Sequence, residues 1–141
     1  MTECIFHDAP DARKDPLIFE IAASAYRDKH KVLIYAENAE RAAVLDRLLW
    51  ILKQESFIPH RIFAGGETDA ETPVGIVTVE DNPVGADILV ADGRCSLDFT
   101  GGFDAVHEFV VHSSQEVLDA CRARFRDYRD RQILIRHIKE S

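Results

Sequence analysis

Short apolar runs alternate with helical patterns along this chain, and the alternation limits the possible folds more than any other feature. Residues 31–36 (KVLIYA) have the length and composition of a buried strand. Before them, residues 15–29 place apolar side chains at helical spacing, and after them Asn38 can cap a second helix that reaches about Gln54. The pattern predicts an α/β sandwich around a mainly parallel sheet, wound like a nucleotide-binding domain.

The remaining elements follow the same alternation. A long last helix, capped by Ser113 or Ser114, reaches about Arg131 and precedes an apolar tail at 133–135. Further short strands are predicted at 3–7, 76–79, 88–91 and 105–111, and a polar loop at 65–73. With 141 residues and no long linker, we expect residues 1–141 to form a single domain.

Composition excludes several classes of protein. The chain is 46% hydrophobic and 30% charged, which argues against a disordered or low-complexity chain. No apolar run reaches the roughly 20 residues of a membrane span, so we expect a soluble, cytoplasmic protein. The cysteines, Cys4, Cys95 and Cys121, are too widely spaced for a zinc knuckle, so we expect neither a structural metal nor a disulfide framework.

Charge is distributed unevenly. The net charge of −8 disfavours non-specific adhesion to DNA or to an anionic membrane. Residues 121–141 nevertheless hold seven basic and three acidic side chains, a local balance of +4, whereas residues 1–120 carry −12. This asymmetry indicates that the C-terminal segment is a candidate site for an acidic partner.

Motifs for catalysis or cofactor binding are missing. Residues 7–10 occupy the place of a dinucleotide-binding glycine loop, and neither glycine pair (65–66, 101–102) precedes the Lys-Ser/Thr of a phosphate-binding loop. No serine lies in a nucleophile elbow, and Cys95 has no adjacent base. We therefore expect no catalytic residues and no cofactor. The α/β pattern alone keeps open the alternative of an enzyme that acts on a nucleotide or phosphoester.

The histidines do not form a metal-binding motif either. None of the six lies four residues from another with an intervening glutamate, as in a zinc peptidase. His107 and His112 bracket a predicted strand and could approach His7 on a neighbouring strand, where structural roles or a metal site are both open. We expect structural roles and no bound metal.

Trp50 does not fit the buried stripe of the second helix. Leu45, Leu48, Leu49 and Leu52 define that stripe, and Trp50 lies about 150° from its centre. Residues 56–60 (SFIPH) add Phe57 and Ile58 close by. An outward tryptophan beside a phenylalanine indicates an anchor patch for a protein partner, unless a loop folds over both.

The last helix carries an arginine row beside its apolar stripe. The stripe consists of Val117, Leu118, Cys121, Phe125 and Tyr128. Arg122, Arg126 and Arg129 follow its border, although arginines four residues apart repel each other. Because arginine binds carboxylates through two parallel hydrogen bonds, this face suits an acidic peptide with an apolar end. A merely solvated helix face and direct binding of nucleic acid are the alternatives.

Four segments together resemble a known family. They are KVLI at 31–34, the Leu45-Asp46 and Leu48-Leu49-Trp50 positions, ESFIPH at 55–60 and RARFRDYR at 122–129. Their order resembles the chi subunit family of bacterial DNA polymerase III over most of the chain. The resemblance implies a non-catalytic, clamp-loader-associated accessory subunit with a Rossmann-like three-layer fold that binds no nucleotide.

The resemblance also implies two protein partners, with DNA contacted only indirectly. Members of the family hold the acidic C-terminal tail of single-stranded DNA-binding protein, which ends in a phenylalanine. The residues here that match this tail site are Arg122, Phe125, Arg126, Arg129, and Val110 or Val111. A second surface contacts the psi subunit or, in some bacteria, a helicase, and its matching positions are Trp50, Phe57 and Ile58.

Overall fold

The computed structural model describes residues 2–51 and 58–139. Within these residues the chain forms seven strands: β1 (Glu3–Asp8), β2 (Val32–Tyr35), β3 (His60–Ile62), β4 (Val74–Val77), β5 (Ile88–Ala91), β6 (Ala105–Val110) and β7 (Leu134–Lys139). The helices are a 3-10 turn (Asp11–Arg13), α1 (Lys14–Arg27), α2 (Ala39–Ile51), α3 (Leu97–Thr100) and α4 (Gln115–Asp130).

The strands form one parallel sheet in the order β3-β4-β2-β5-β6-β1-β7. The central strands β2 and β4 have continuous apolar sequences because both faces of the sheet are covered. The predicted α/β fold with a mainly parallel sheet is confirmed. The apolar tail after the last helix also becomes a strand, β7, which pairs with β1 from Glu3 opposite Leu134 onward.

Helices pack on both faces of this sheet. On one face, α1 and α2 bury Ala22, Leu45 and Leu49 against Ile34 of β2 and Ile76 of β4. On the other face, α4 lies over β1, where Tyr128 packs with Cys4 and Phe6. The alternate residues of β1, Ile5 and His7, point toward α1, so β1 is covered from both sides.

The helix starts agree with the sequence analysis. Asn38 accepts a hydrogen bond from the Arg41 amide at 2.8 Å, and Ser114 accepts one from the Val117 amide at 3.2 Å, as expected of N-cap residues. Within the described residues α2 ends at Ile51, so the predicted end at Gln54 lies outside them. The strand predicted at 76–79 begins instead at Val74, because the four residues Val74–Val77 are all buried and pair with β2.

A buried polar cluster fastens α4 to the sheet. Arg124 is only 8% exposed, and its Nε donates to Oε2 of Glu108 on β6 at 2.7 Å. The Tyr128 hydroxyl donates to the same oxygen at 2.6 Å. Burial raises the pKa of Glu108, although the charge of Arg124 and the hydrogen bond from Tyr128 oppose that shift. The three side chains therefore fix how α4 lies over β6.

Substituting Glu108→Gln is expected to destabilise the protein strongly. The change leaves the Arg124 guanidinium buried without a carboxylate, and breaking a buried pair costs about 3–5 kcal/mol. Urea denaturation followed by circular dichroism measures the loss in free energy of unfolding. As a matched control, Asp98→Asn breaks the exposed Arg131–Asp98 pair, whose closest atoms are 2.9 Å apart, and should change stability little. Equal losses in both variants would contradict the role given to the buried cluster.

A histidine pair on the α1 face predicts how stability depends on pH. His7 Nε2 and His107 Nδ1 are 2.8 Å apart, and burial together with the charge of His7 lowers the pKa of His107 to about 4. The unfolded chain, with an ordinary histidine pKa of about 6.5, binds more protons between those values. Stability should therefore fall as the pH is lowered from about 6.5 toward 4.

The variant His107→Gln removes this titration. Urea midpoints at neutral and at acidic pH should drop less on acidification for the variant than for the unmodified protein. The same drop in both proteins would mean that His107 does not carry the pH dependence.

Candidate functional site

A groove runs beside α4 on the sheet face that this helix covers. It has a volume of about 430 Å³ and lies at the carboxyl ends of β1 and β6. Its apolar walls are Phe6, Val110, Leu118, Cys121 and Phe125. The rings of Phe6 and Phe125 are 5.3 Å apart, centre to centre, and their planes are tilted by 52°. The groove therefore offers an aromatic surface to an apolar side chain.

Arginines form the rim of this groove. Arg122 and Arg126, one turn apart on α4, both line it. Arg126 makes no ion pair with any other residue in the part of the chain that the structure describes. Arg122 pairs only loosely with Asp119, at 3.6 Å with both side chains more than 60% exposed. Two guanidinium groups are thus available to an incoming carboxylate.

Of the remaining residues expected at the tail site, Arg129, Val110 and Val111, only Val110 lines the groove. Arg129 is on the same side of α4 as Arg122, one turn past Arg126, and is 3.6 Å from Asp130. Val110 lines the groove, whereas Val111 lines a second cavity on the opposite side of α4. Of the two valines between which the sequence could not choose, Val110 is the one beside the arginines.

Trp50 lies on an exposed face of α2. Its side chain is 53% exposed, as the helical spacing predicted, and its ring meets that of His60 edge-on with centres 4.8 Å apart. His60 in turn lies 3.1 Å from Asp46. Two further exposed large apolar side chains belong to α2 and β3: Ile51, next to Trp50 in the chain, and Ile62, two residues past His60. We call Trp50, Ile51 and Ile62 the Trp50 surface.

Phe57 and Ile58 were predicted to lie beside Trp50 at this surface. Phe57 lies outside the described residues. Ile58 is 2% exposed and packs into the core beneath α1 and α2, so the interpretation of Ile58 as an exposed contact is wrong. Ile58 lies two residues before β3 begins. Its carbonyl oxygen is 2.7 Å from Nδ1 of His60, the first residue of that strand.

Comparison with known proteins identifies the family. The model of the family described as DNA polymerase III chi subunit, HolC, matches residues 1–136. The chain is 33% identical to DNA polymerase III subunit chi of Escherichia coli K12 over 116 residues, which are 82% of this chain and 78% of that protein. It is 30% identical to the Pseudomonas aeruginosa subunit chi over 135 residues, 92% of this chain and 91% of that protein.

This protein belongs to the DNA polymerase III chi subunit family. It therefore has protein partners in the replication machinery. Among the described residues no helix is long and apolar enough to cross a membrane. The same part of the chain holds no group of three histidine, cysteine or acidic side chains arranged around a common metal position.

The second cavity of this chi-family protein occupies the position where α/β folds usually bind ligands. It has about 460 Å³ and lies at the carboxyl ends of β2, β5 and β6. Asp92 at its base bonds Arg41 at 2.6 Å and Lys14 at 3.2 Å. Burial opposes ionisation of Asp92, but the hydrogen bonds from Arg41 and the charges of Lys14 and Arg41 outweigh it and lower the pKa. Asp92 is thus already neutralised from within the chain.

Three polar residues of the groove, Asp8, His112 and His137, were not among the predicted site residues. Asp8 ends β1, and its carboxylate lies 2.6 Å from His112 and 3.6 Å from His137. All three line the groove. Of the two histidines that could approach His7, His107 does so, whereas His112 meets Asp8, because odd and even residues of β1 point to opposite faces of the sheet. The contact between Asp8 and His137 could not be predicted without knowing that β7 pairs with β1.

Proposed function

We propose that this protein is a non-catalytic accessory subunit of the DNA polymerase III holoenzyme, associated with the clamp loader in the cytoplasm. In this proposal it holds the acidic C-terminal tail of single-stranded DNA-binding protein in the α4 groove. The observation that carries the proposal is the combination of an aromatic floor with two arginines on the rim of one groove.

A peptide that is acidic and ends in phenylalanine matches this groove chemically. Its ring can pack on Phe6 and Phe125, where aromatic neighbours prefer tilted contacts such as the one these two rings already make. Its terminal carboxylate and acidic side chains can pair with Arg122 and Arg126. Each charge-assisted contact contributes about 1.5–3 kcal/mol when partly desolvated.

The arginines of the exposed ion pairs on α4 can exchange their present partners for the carboxylates of a ligand. Arg122 with Asp119, and Arg129 with Asp130, are 3.6 Å apart and largely exposed. Such pairs contribute about 0–1 kcal/mol, so replacing them by a well-placed peptide carboxylate costs little. Arg129 extends the row by about 4.5 Å beyond Arg126, toward acidic residues further up the tail.

The Trp50 surface supports a second partner, the psi subunit or a helicase. Large apolar side chains exposed within one turn or two of a helix are typical of sites that bind another protein, and tryptophan often dominates such binding. With this second contact the subunit would link single-stranded DNA-binding protein to the replication machinery.

The variant Arg126→Ala tests the groove. We expect it to raise the Kd for a short aspartate-rich peptide ending in phenylalanine by about ten- to a hundredfold, the loss of one charge-assisted contact. Fluorescence anisotropy of the labelled peptide measures this change. Binding of the unmodified protein should also weaken as salt is added.

Arg131→Ala is the matched control, because Arg131 directly follows α4 but pairs with Asp98 and does not line the groove. It should leave the Kd nearly unchanged. Equal affinities for the unmodified protein and Arg126→Ala would remove the groove as the tail site.

The variant Trp50→Ala tests the second surface. It should abolish co-purification with recombinant psi subunit, or with the helicase in a bacterium without psi, because it removes the largest exposed aromatic ring of the Trp50 surface. Peptide binding in the α4 groove should not change.

Leu134→Ala provides the control, since Leu134 is about as exposed as Trp50 but lies on β7 at the other edge of the sheet. Retention of the partner by Trp50→Ala, or its equal loss from Leu134→Ala, would contradict the assignment.

A further inference from the structure

Three titratable side chains line the α4 groove on the side of β1 and β7. Asp8 lies between two imidazoles: its Oδ1 is 2.6 Å from Nε2 of His112, and its Oδ2 is 3.6 Å from Nε2 of His137. Both histidine side chains are nearly half exposed, whereas Asp8 is 22% exposed. We call these three residues the Asp8 cluster.

Two carboxylates, on two different elements, lie beside His112. Asp8 belongs to β1, and Asp11 of the 3-10 turn accepts a hydrogen bond from the His112 amide at 3.0 Å. Asp8 lines the groove, Asp11 lies next to it through the His112 amide, and the proposed ligand of this groove is itself negatively charged. The two carboxylates oppose binding unless neighbouring groups compensate them.

Cations face the cluster from the remaining elements. Arg122 and Arg126 of α4 line the same groove. Lys139 follows His137 by two residues and therefore lies on the same side of β7. Arginine and lysine as residue types carry their charge across the physiological pH range, and histidine is the residue type that does not.

The protonation of the two histidines would change the net charge that the groove presents to an anionic ligand. Histidine gains or loses its proton between about pH 5 and 8. With neutral imidazoles, the charge of Asp8 remains in the groove and repels a peptide carboxylate. With protonated imidazoles, that charge is cancelled and His112 and His137 become cationic donors beside Arg122. An anionic ligand must therefore favour the protonated state, and by linkage its binding takes up protons.

We propose that the Asp8 cluster couples capture of an acidic peptide to proton uptake, so that the α4 groove binds more tightly as the pH falls from about 8 to about 6. This inference rests on the proposed function and adds a regulation of the same groove. It assigns to His112 and His137 a role in positioning and attracting the ligand.

Isothermal titration calorimetry tests the coupling directly. The aspartate-rich peptide ending in phenylalanine is titrated into the whole protein at about pH 7 in two buffers of different ionisation enthalpy, which counts the protons taken up. The carboxylates of the peptide stay ionised because their ordinary pKa is about 4. We expect uptake of up to about one proton, and about fivefold tighter binding at pH 6 than at pH 8.

Two variants separate the cluster from other histidines. His112→Gln/His137→Gln should bind without proton uptake and with the same Kd at both pH values. His30→Gln is the matched control, because His30 is an exposed histidine that pairs with Asp87 at 2.8 Å outside the groove. It should keep the pH dependence. Circular dichroism at both pH values checks that each variant is folded.

The outcomes distinguish this inference from the proposed function. Binding that depends on Arg126 but takes up no proton would overturn the inference and leave the proposed function standing. Proton uptake that persists in the double variant would assign the coupling to other groups and also overturn it. No binding by the unmodified protein at either pH would overturn both.

Discussion

The buried contact among Arg124, Glu108 and Tyr128 determines where the other arginines of α4 lie. At about 100° per residue, Arg124 is about 160° away from Arg122 and from Arg126 around the helix. Fixing Arg124 against β6 therefore turns its two neighbours outward, onto the rim of the groove. A charge pair in a core is not in itself strongly stabilising, but it specifies one orientation of a helix over a sheet.

This arrangement explains how one helix can carry so many arginines. Arg124 uses its charge internally, on a carboxylate that the sheet supplies, while Arg122, Arg126 and Arg129 have only exposed, loosely held partners or none among the described residues. The row therefore places positive charge beside the groove although the whole chain is acidic. Charges close to a ligand act on it more strongly than distant, screened ones.

Sequence periodicity predicted the fold well but resolved the site only in part. The alternation of strands and helices, the N-caps at Asn38 and Ser114, and the outward Trp50 all follow from local spacing. The pairing of β7 with β1 is a long-range choice that no local pattern encodes, and it brings His137 to Asp8. The buried position of Arg124 was missed because its partner, Glu108, lies on another element of the fold.

The order of the strands separates the two surfaces on which the proposed linking role depends. The Trp50 surface adjoins β3, and the α4 groove lies over β1, five strands further along the sheet. At about 4.8 Å per strand the two surfaces are about 24 Å apart. They also lie on opposite faces, since α2 and α4 cover different sides. The two proposed binding surfaces are therefore separate, and the parallel sheet between them would set the distance between the two proposed partners.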